Sequence, residues 1–377
     1  MSEMKRIPCV IMRGGTSKAM FLKANHLPQQ PALRDKMILQ IFGSPDIRQI
    51  DGLGGADPLT SKLAIIGPST HPAADIDYTF GQVSLTAPYI DYSGNCGNIS
   101  SAVGPFAIDE GFVAAQAPIT TVRIHNTNTG RILVAQVPTD NGRAKVHGDC
   151  KIDGVPGTGA RIMLDFSGTA GSATDKLLPT GNPVDTIATS RGPLDISLVD
   201  VSNPCVFIRA RDIGMTGKEM PQQVNTNNEL LALLEEVRAK AAVMIGMAPD
   251  SKTATEKSPA FPMIAFVAPA GEYIDFTTGQ TIAASEVDFL SRMMFMQVLH
   301  KTYPGTGTAC TGAAAKIPGT VVYEAIPHIN SIDSVRIGHP AGFIEIEAAV
   351  EQGELIRAAF SRTARRIMEG YVFVDND

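Results

Sequence analysis

The chain has 377 residues, 44% of them hydrophobic and 19% charged, which is ample apolar material for two packed domains. Lys plus Arg number 32 against 38 Asp plus Glu, a formal charge of −6, and this excludes the dense cationic face that nucleic-acid binding needs. No apolar run approaches the roughly 20 residues that cross a bilayer, and no signal core stands between Met1 and Arg13, so a cytoplasmic protein without membrane or nucleic-acid partners is expected.

The predicted elements run as follows. Ile7–Met12 is a short apolar strand ended by Arg13-Gly14-Gly15, and Lys62–Ile66 is another, ended by Gly67-Pro68. Ile76–Leu85 alternates as a half-buried strand does. A helix follows Cys96 through Asn98–Val103. Thr120–Asn126 and Arg131–Val137 flank Asn128-Thr129-Gly130, a hairpin signal. Gly154–Pro183, rich in Gly, Thr, Pro and Ser, reads as the crossover between two domains, 1–185 and 186–377. Beyond it, Ile196–Val201 and Val206–Ala210 flank a turn at Ser202-Asn203-Pro204. Asn228–Ile245 is an amphipathic helix, and Ser285–His300 is predicted as a second, with Val287, Leu290, Met294 and Val298 on one face. A last helix is predicted after Cys310. Many short strands with few helices make an α+β fold.

Five cysteines with no C-x-x-C spacing suit neither a disulfide framework nor a zinc ribbon, and the histidines form no H-x-x-x-H pattern, so no metal is expected. Two cysteines share a setting. Gly94-Asn95-Cys96-Gly97-Asn98 and Gly307-Thr308-Ala309-Cys310-Thr311-Gly312 each put a thiol among small residues, read as a turn opening a helix. Backbone N–H groups and the positive dipole end there favour a thiolate or a substrate carboxylate. A single cysteine of this kind is as well explained as a small buried hydrophobe; the pairing is what raises its interest. Cys9, Cys150 and Cys205 lack the setting. Lys18 and Lys62 each end a Thr-Ser-Lys run, Thr16-Ser17-Lys18 and Thr60-Ser61-Lys62, so each comes with hydroxyl donors for carboxylate oxygens. Asp51–Lys62 is Gly-rich but has the wrong order for a phosphate-binding P-loop. Lys62 precedes an apolar run; burial there would lower its pKa and make it a usable base.

Arg13-Gly14-Gly15-Thr16-Ser17-Lys18, Gly43-Ser44-Pro45-Asp46, Gln49–Gly55 with Thr60-Ser61-Lys62, Gly94–Asn98, Asn203-Pro204, Lys257-Ser258-Pro259 and Arg336–Gly342 together resemble the PrpF family. These are isomerases of small unsaturated di- and tricarboxylates, related in fold to diaminopimelate epimerase. Asp57-Pro58-Leu59 and Cys310 fit a dicarboxylate-isomerising subgroup. The resemblance covers the whole chain. It implies two similar domains, each a barrel-like sheet around a central helix, with the active site in the cleft between them and the last strands returning to the first domain. It implies catalysis by Lys62 and Cys96, with Cys310 at the second thiol position. Thr16, Ser17, Lys18, Ser61, Asn95, Gly97, Asn98, Thr311 and Gly312 are the expected substrate contacts. A 1,3-allylic proton shift needs no redox change, so no cofactor is expected, and the partners are a small di- or tricarboxylate and a second copy of the chain. A two-thiol racemase using Cys96 and Cys310, and a non-catalytic carboxylate-binding protein, are the rival readings.

Overall fold

The computed structural model describes residues 3–376. In chain order the elements are β1 (Met4–Gly14), β2 (Ser17–Lys23), α1 (Pro31–Phe42), β3 (Lys62–Pro68), β4 (Ile76–Val83), β5 (Ile90–Asp91), α2 (Gly97–Asp109), β6 (Ile119–Asn126), β7 (Arg131–Asp140), β8 (Arg143–Ala144) and β9 (Ile162–Asp165). Then come β10 (Asp185–Thr189), β11 (Gly192–Val201), β12 (Asn203–Arg209), α3 (Pro221–Asn225), α4 (Asn228–Met244), α5 (Ser251–Lys257), β13 (Met263–Pro269), β14 (Tyr273–Ile274) and β15 (Thr281–Ile282). The last are β16 (Phe289–Phe295), β17 (Val298–Leu299), α6 (Gly305–Lys316), α7 (Val321–Glu324), β18 (Ser334–His339), β19 (Gly342–Glu351), β20 (Glu354–Arg362) and β21 (Ala364–Asp375). Contacts divide the chain into Met1–Leu164 with Arg362–Asp377, and Asp165–Ser361.

In the first unit β21 lies antiparallel to β1, from Met4 opposite Asp375 to Gly14 opposite Ala364. The sheet continues β1–β2 antiparallel, β2–β3 parallel, β3–β4 antiparallel, β4–β6 parallel and β6–β7 antiparallel. This sheet wraps α2, which touches β1, β2, β3, β6, β7 and β21. Every residue of α2 from Gly97 to Ile108 is buried. A helix apolar or small all round is buried all round, and its serines turn inward: Ser100 Oγ donates to Cys96 O at 3.0 Å and Ser101 Oγ to Asn98 O at 2.7 Å. On the outer face Ile38, Ile41 and Phe42 of α1 pack on Met20, Leu22, Leu63 and Ile65.

The second unit repeats this order strand for strand. β10–β11 and β11–β12 are antiparallel, β12–β13 parallel, β13–β16 antiparallel, β16–β18 parallel and β18–β19 antiparallel. Its central helix is α6, buried from Gly305 to Ala315 and packed on β11, β12, β18 and β19. The outer layer is α4, whose Leu230, Leu233, Leu234 and Val237 cover Val206, Ile208, Ile264 and Phe266. Small residues in α6 are a packing requirement. A Cβ on Gly312 would lie 2.8 Å from Ile346 Cδ1.

Three expectations need correcting. The helix expected over 285–300 is a strand: after a short 3-10 turn at Ala284–Glu286, β16 runs Phe289–Phe295 with every residue buried. A strand covered on both faces need not alternate, since its polar residues are buried with partners of their own, Ser291 on Tyr303 and Arg292 on the carbonyls of Glu219 and Gly338; periodicity then does not separate it from a helix. The second central helix does not begin after Cys310 but at Gly305, so Cys310, Thr311 and Gly312 lie in its middle. Finally, the contact division falls at 164/165, not 185/186. Phe166 stacks on Phe360 with centroids 5.4 Å apart, Asp165 pairs with Arg357, and Ala170 bridges to Val201, so 165–185 packs with the second unit.

Candidate active site

The hairpin between β1 and β2 closes directly on the first turn of α2. Gly15 has φ +51°, and a Cβ there would collide with Asn98 Oδ1; a Cβ on Gly14 would lie 2.5 Å from Asn98 O. Two glycines are therefore what lets Thr16 and Ser17 reach the helix start. Asn98 Nδ2 donates to Thr16 Oγ1 at 3.1 Å, and Asn98 Oδ1 accepts from Arg362 Nε at 3.0 Å. Ser17 is buried, and its Oγ has no hydrogen-bond partner among the described residues, so it is a donor available to a bound oxygen.

Cys96 is the N-cap residue of α2, with extended backbone (φ −118°, ψ 100°), and Gly97 and Asn98 are the first helical residues. Asn95 is buried and accepts from Ser100 Oγ at 3.3 Å. Cys96 is the part-exposed cysteine; Cys9, Cys150, Cys205 and Cys310 are all buried. The phenol of Tyr78 on β4 is fully buried and its pKa is pushed well up by burial and by the nearby Cys96 charge.

Lys62 opens β3 opposite Gln82 of β4 and is 2% exposed. Its Nζ donates to Gln82 Oε1 at 2.6 Å and lies 5.3 Å from the Phe80 ring centroid. Burial pulls the Lys62 ammonium below the ordinary lysine range, while the charges of Cys96 and Asp57 push it back up. The expected base is thus a buried amine within electrostatic reach of the expected thiol.

The hydroxyl partners of the two lysines behave differently. Ser61 Oγ turns into the Gly-rich loop and donates to Gln49 Oε1 at 2.6 Å, while Gln49 Oε1 also accepts from Ala56 N. Of the loop glycines, Gly54 packs on that amide, while Gly52 packs on Gly43 and Gly55 on Thr60. Lys18 is part-exposed, and its backbone N–H is tied to Leu59 O at 2.9 Å.

Cys310 does not share the Cys96 setting. It is completely buried inside α6, and its thiol donates to Val199 O at 3.2 Å. Thr311 is buried and bonds to Tyr303 OH at 3.0 Å, and Gly312 packs on Ile346. None of the three can offer a free helix-start N–H. The residue that caps α6 is Pro304.

Two residues of the first unit were missed by sequence reasoning. Gln82 falls within the alternating run Ile76–Leu85, where nothing local singles it out. Arg362, 264 positions from Asn98, is buried beside the α2 start; burial pulls its guanidinium down to about 9, leaving it cationic at neutral pH. No local pattern marks either one. Among the described residues no group of three or more His, Cys, Asp or Glu is placed to hold a metal ion, and no helix is long and apolar enough to cross a membrane.

The family model described as "PrpF protein" matches residues 4–375. The chain is a member of the PrpF family. Within it, the chain is 64% identical over 375 residues to the 3-methylitaconate isomerase of Eubacterium barkeri, covering 100% of this chain and 99% of that protein. It is 39% identical to the 2-methyl-aconitate isomerase of Shewanella oneidensis, covering 98% and 97%. The crystal structure of a methylitaconate-delta-isomerase superposes with TM-score 0.84 at 64% identity, covering 99% of this chain and 97% of that one. The PrpF chain described here therefore has named isomerases as full-length relatives.

Proposed function

We propose that this PrpF protein is a cofactor-independent isomerase that converts 3-methylitaconate to 2,3-dimethylmaleate by a 1,3-allylic proton shift. The substrate assignment rests on 64% identity, end to end, with a protein of that name. The chemical assignment rests on one observation of this chain: a lysine 2% exposed, with its pKa drawn down by burial, within electrostatic reach of a helix-capping thiol.

The reaction removes the proton from the methyl-bearing carbon, which is both allylic and α to a carboxylate. That C–H electron pair becomes the new C=C bond, and the former methylene π pair takes up a proton to become a methyl group. Atoms and charge balance without an oxidant. Neutral Lys62 is the base that takes the first proton, and Cys96 is the acid that delivers the second. Negative charge that develops on the carboxylate of the dienolate is stabilised by donors set in advance. The start of α2 at Gly97 and Asn98, the Ser17 hydroxyl and the buried Arg362 cation are the groups this chain offers.

The two-thiol racemase reading loses its support, because Pro304 stands where a second capping cysteine would be and Cys310 is held inside the helix. The tricarboxylate reading keeps one observation in its favour, the 39% relative named for 2-methyl-aconitate. Turnover of the purified protein with 3-methylitaconate, 2-methylaconitate, aconitate and oxalomesaconate separates them. The expected result is a kcat/KM for 3-methylitaconate at least about 100-fold above the tricarboxylates, about 2.7 kcal/mol. Preference for a tricarboxylate would replace the assignment.

A further inference from the structure

Gln82 is 3% exposed, and both ends of its amide are engaged. Its Nε2 donates to Pro58 O at 3.1 Å and Ser61 O at 3.2 Å, both carbonyls of the Gly-rich loop. An amide that gives its NH2 to two carbonyls must turn its oxygen the other way, and that oxygen meets Lys62 Nζ at 2.6 Å. The strand register makes the meeting obligatory, since Lys62 and Gln82 are direct cross-strand partners. We infer that Gln82 is a positioning residue, which fixes the Lys62 amine through a neutral acceptor and so keeps it able to lose its proton. The inference rests on the reading of Lys62 as the base.

The chemistry of the acceptor carries the argument. A carboxylate at the same place would hold Nζ equally well but would form a buried ion pair, and an opposite charge within about 4–6 Å favours the charged form of a lysine. Two charged groups act on Lys62, Cys96 at the cap of α2 and Asp57 in the loop; both raise its pKa, while burial lowers it. Gln82 meets Lys62 as an uncharged amide. The Gly-rich loop acquires a purpose too: its carbonyls at Pro58 and Ser61 orient Gln82, and Gln82 orients the base.

The test is the Gln82→Glu variant, isosteric with the native side chain. The acid limb of its kcat/KM–pH profile should move up by at least about one pH unit, a tenfold loss at neutral pH that alkaline buffer recovers. A 13Cε-lysine NMR titration of the free enzyme, assigned with Lys62→Met, reads the same shift without turnover. Superimposable profiles and titrations for wild type and Gln82→Glu, with Lys62→Ala inactive, would overturn the role of Gln82. An active Lys62→Ala would instead overturn the base assignment, so the two failures are distinct. If the glutamate variant does not fold, Gln82→Met carries the test: a kcat at least tenfold lower with no upward move of the acid limb is expected, and a wild-type kcat contradicts the inference.

Discussion

The two units share a sheet order and a buried central helix, yet their helix starts are chemically different. In the first, Asn98 on the helix donates to Thr16 on the hairpin; in the second, Asn203 on the hairpin donates to Thr306 on the helix at 2.8 Å. The same amide–hydroxyl clasp is built with its partners exchanged. Matching the clasps aligns Asn98 with Thr306 and therefore Cys96 with Pro304. The parallel register aligns Lys62, opposite Ala19, with Met263, opposite Cys205. Ile264 faces Met294, which puts Met263 opposite Phe295 where the first unit has Lys62 opposite Gln82. One scaffold thus holds an amine, an amide and a thiol in one unit, and a thioether, an aromatic ring and a proline in the other. The scaffold alone does not make proton-transfer chemistry; the proposed chemistry resides in three side chains of one copy.

The sharpest way to break this comparison is to remove the amine. Lys62→Ala should lower kcat by at least about 10³-fold, within the range that loss of a general base produces, while circular dichroism shows an unchanged fold. A kcat near wild type would put the base elsewhere. The next largest contrast is between thiols. Cys96→Ala should lose about 10²-fold or more in kcat. Cys310→Ala should stay within a few-fold of wild type and cost about 1 kcal/mol of stability through its lost bond to Val199 O, read as a denaturant midpoint. Equal losses of activity would mean that the two units are catalytically alike.

Arg362→Lys comes third. A guanidinium that holds a substrate carboxylate should show itself as a KM raised about tenfold or more with kcat less affected, in keeping with about 1.5–3 kcal/mol for a hydrogen bond to a charged group. The smallest effect concerns stability. Lys62 has a folded-state pKa below its unfolded value because of burial, so the unfolded chain binds more protons in the window between the two. The penalty is fully present below the folded pKa and fades as pH rises toward the ordinary lysine value. Lys62→Met should therefore melt a few degrees above wild type at neutral pH, by about 0.5–2 kcal/mol, and the gap should close in alkaline buffer. A gap that does not change with pH would show that the burial cost is not electrostatic.

Much of this was legible in the sequence. Strands at Ile7, Lys62, Ile76, Thr120 and Arg131 are present where alternation or apolar runs placed them. So is α4, whose Asn227 side chain accepts from Leu230 N as a cap should. Cys96 was readable because Gly and Asn flank it at a true helix start. Cys310 misled because the same small residues, Gly307 to Gly312, occur inside α6 to let the sheet close around it. Small residues mark a turn or a tight helix equally well, and local composition cannot tell which. Gln82 and Arg362 were illegible for another reason: each matters through a residue brought to it by register or by chain return, and neither stands in a motif of its own.

If catalysis belongs to one unit, the thiol at the start of α2 works and the thiol inside α6 does not. Partial alkylation with iodoacetamide tests both in one sample, with peptide mapping of all five cysteines and the residual activity of each aliquot. Cys96, the part-exposed thiol, should be labelled first, substrate should protect it, and activity should fall in proportion to its modification. Cys310 should remain unlabelled alongside Cys205, both being completely buried. Activity that persists with Cys96 fully alkylated, or that falls in step with Cys310, would contradict the account.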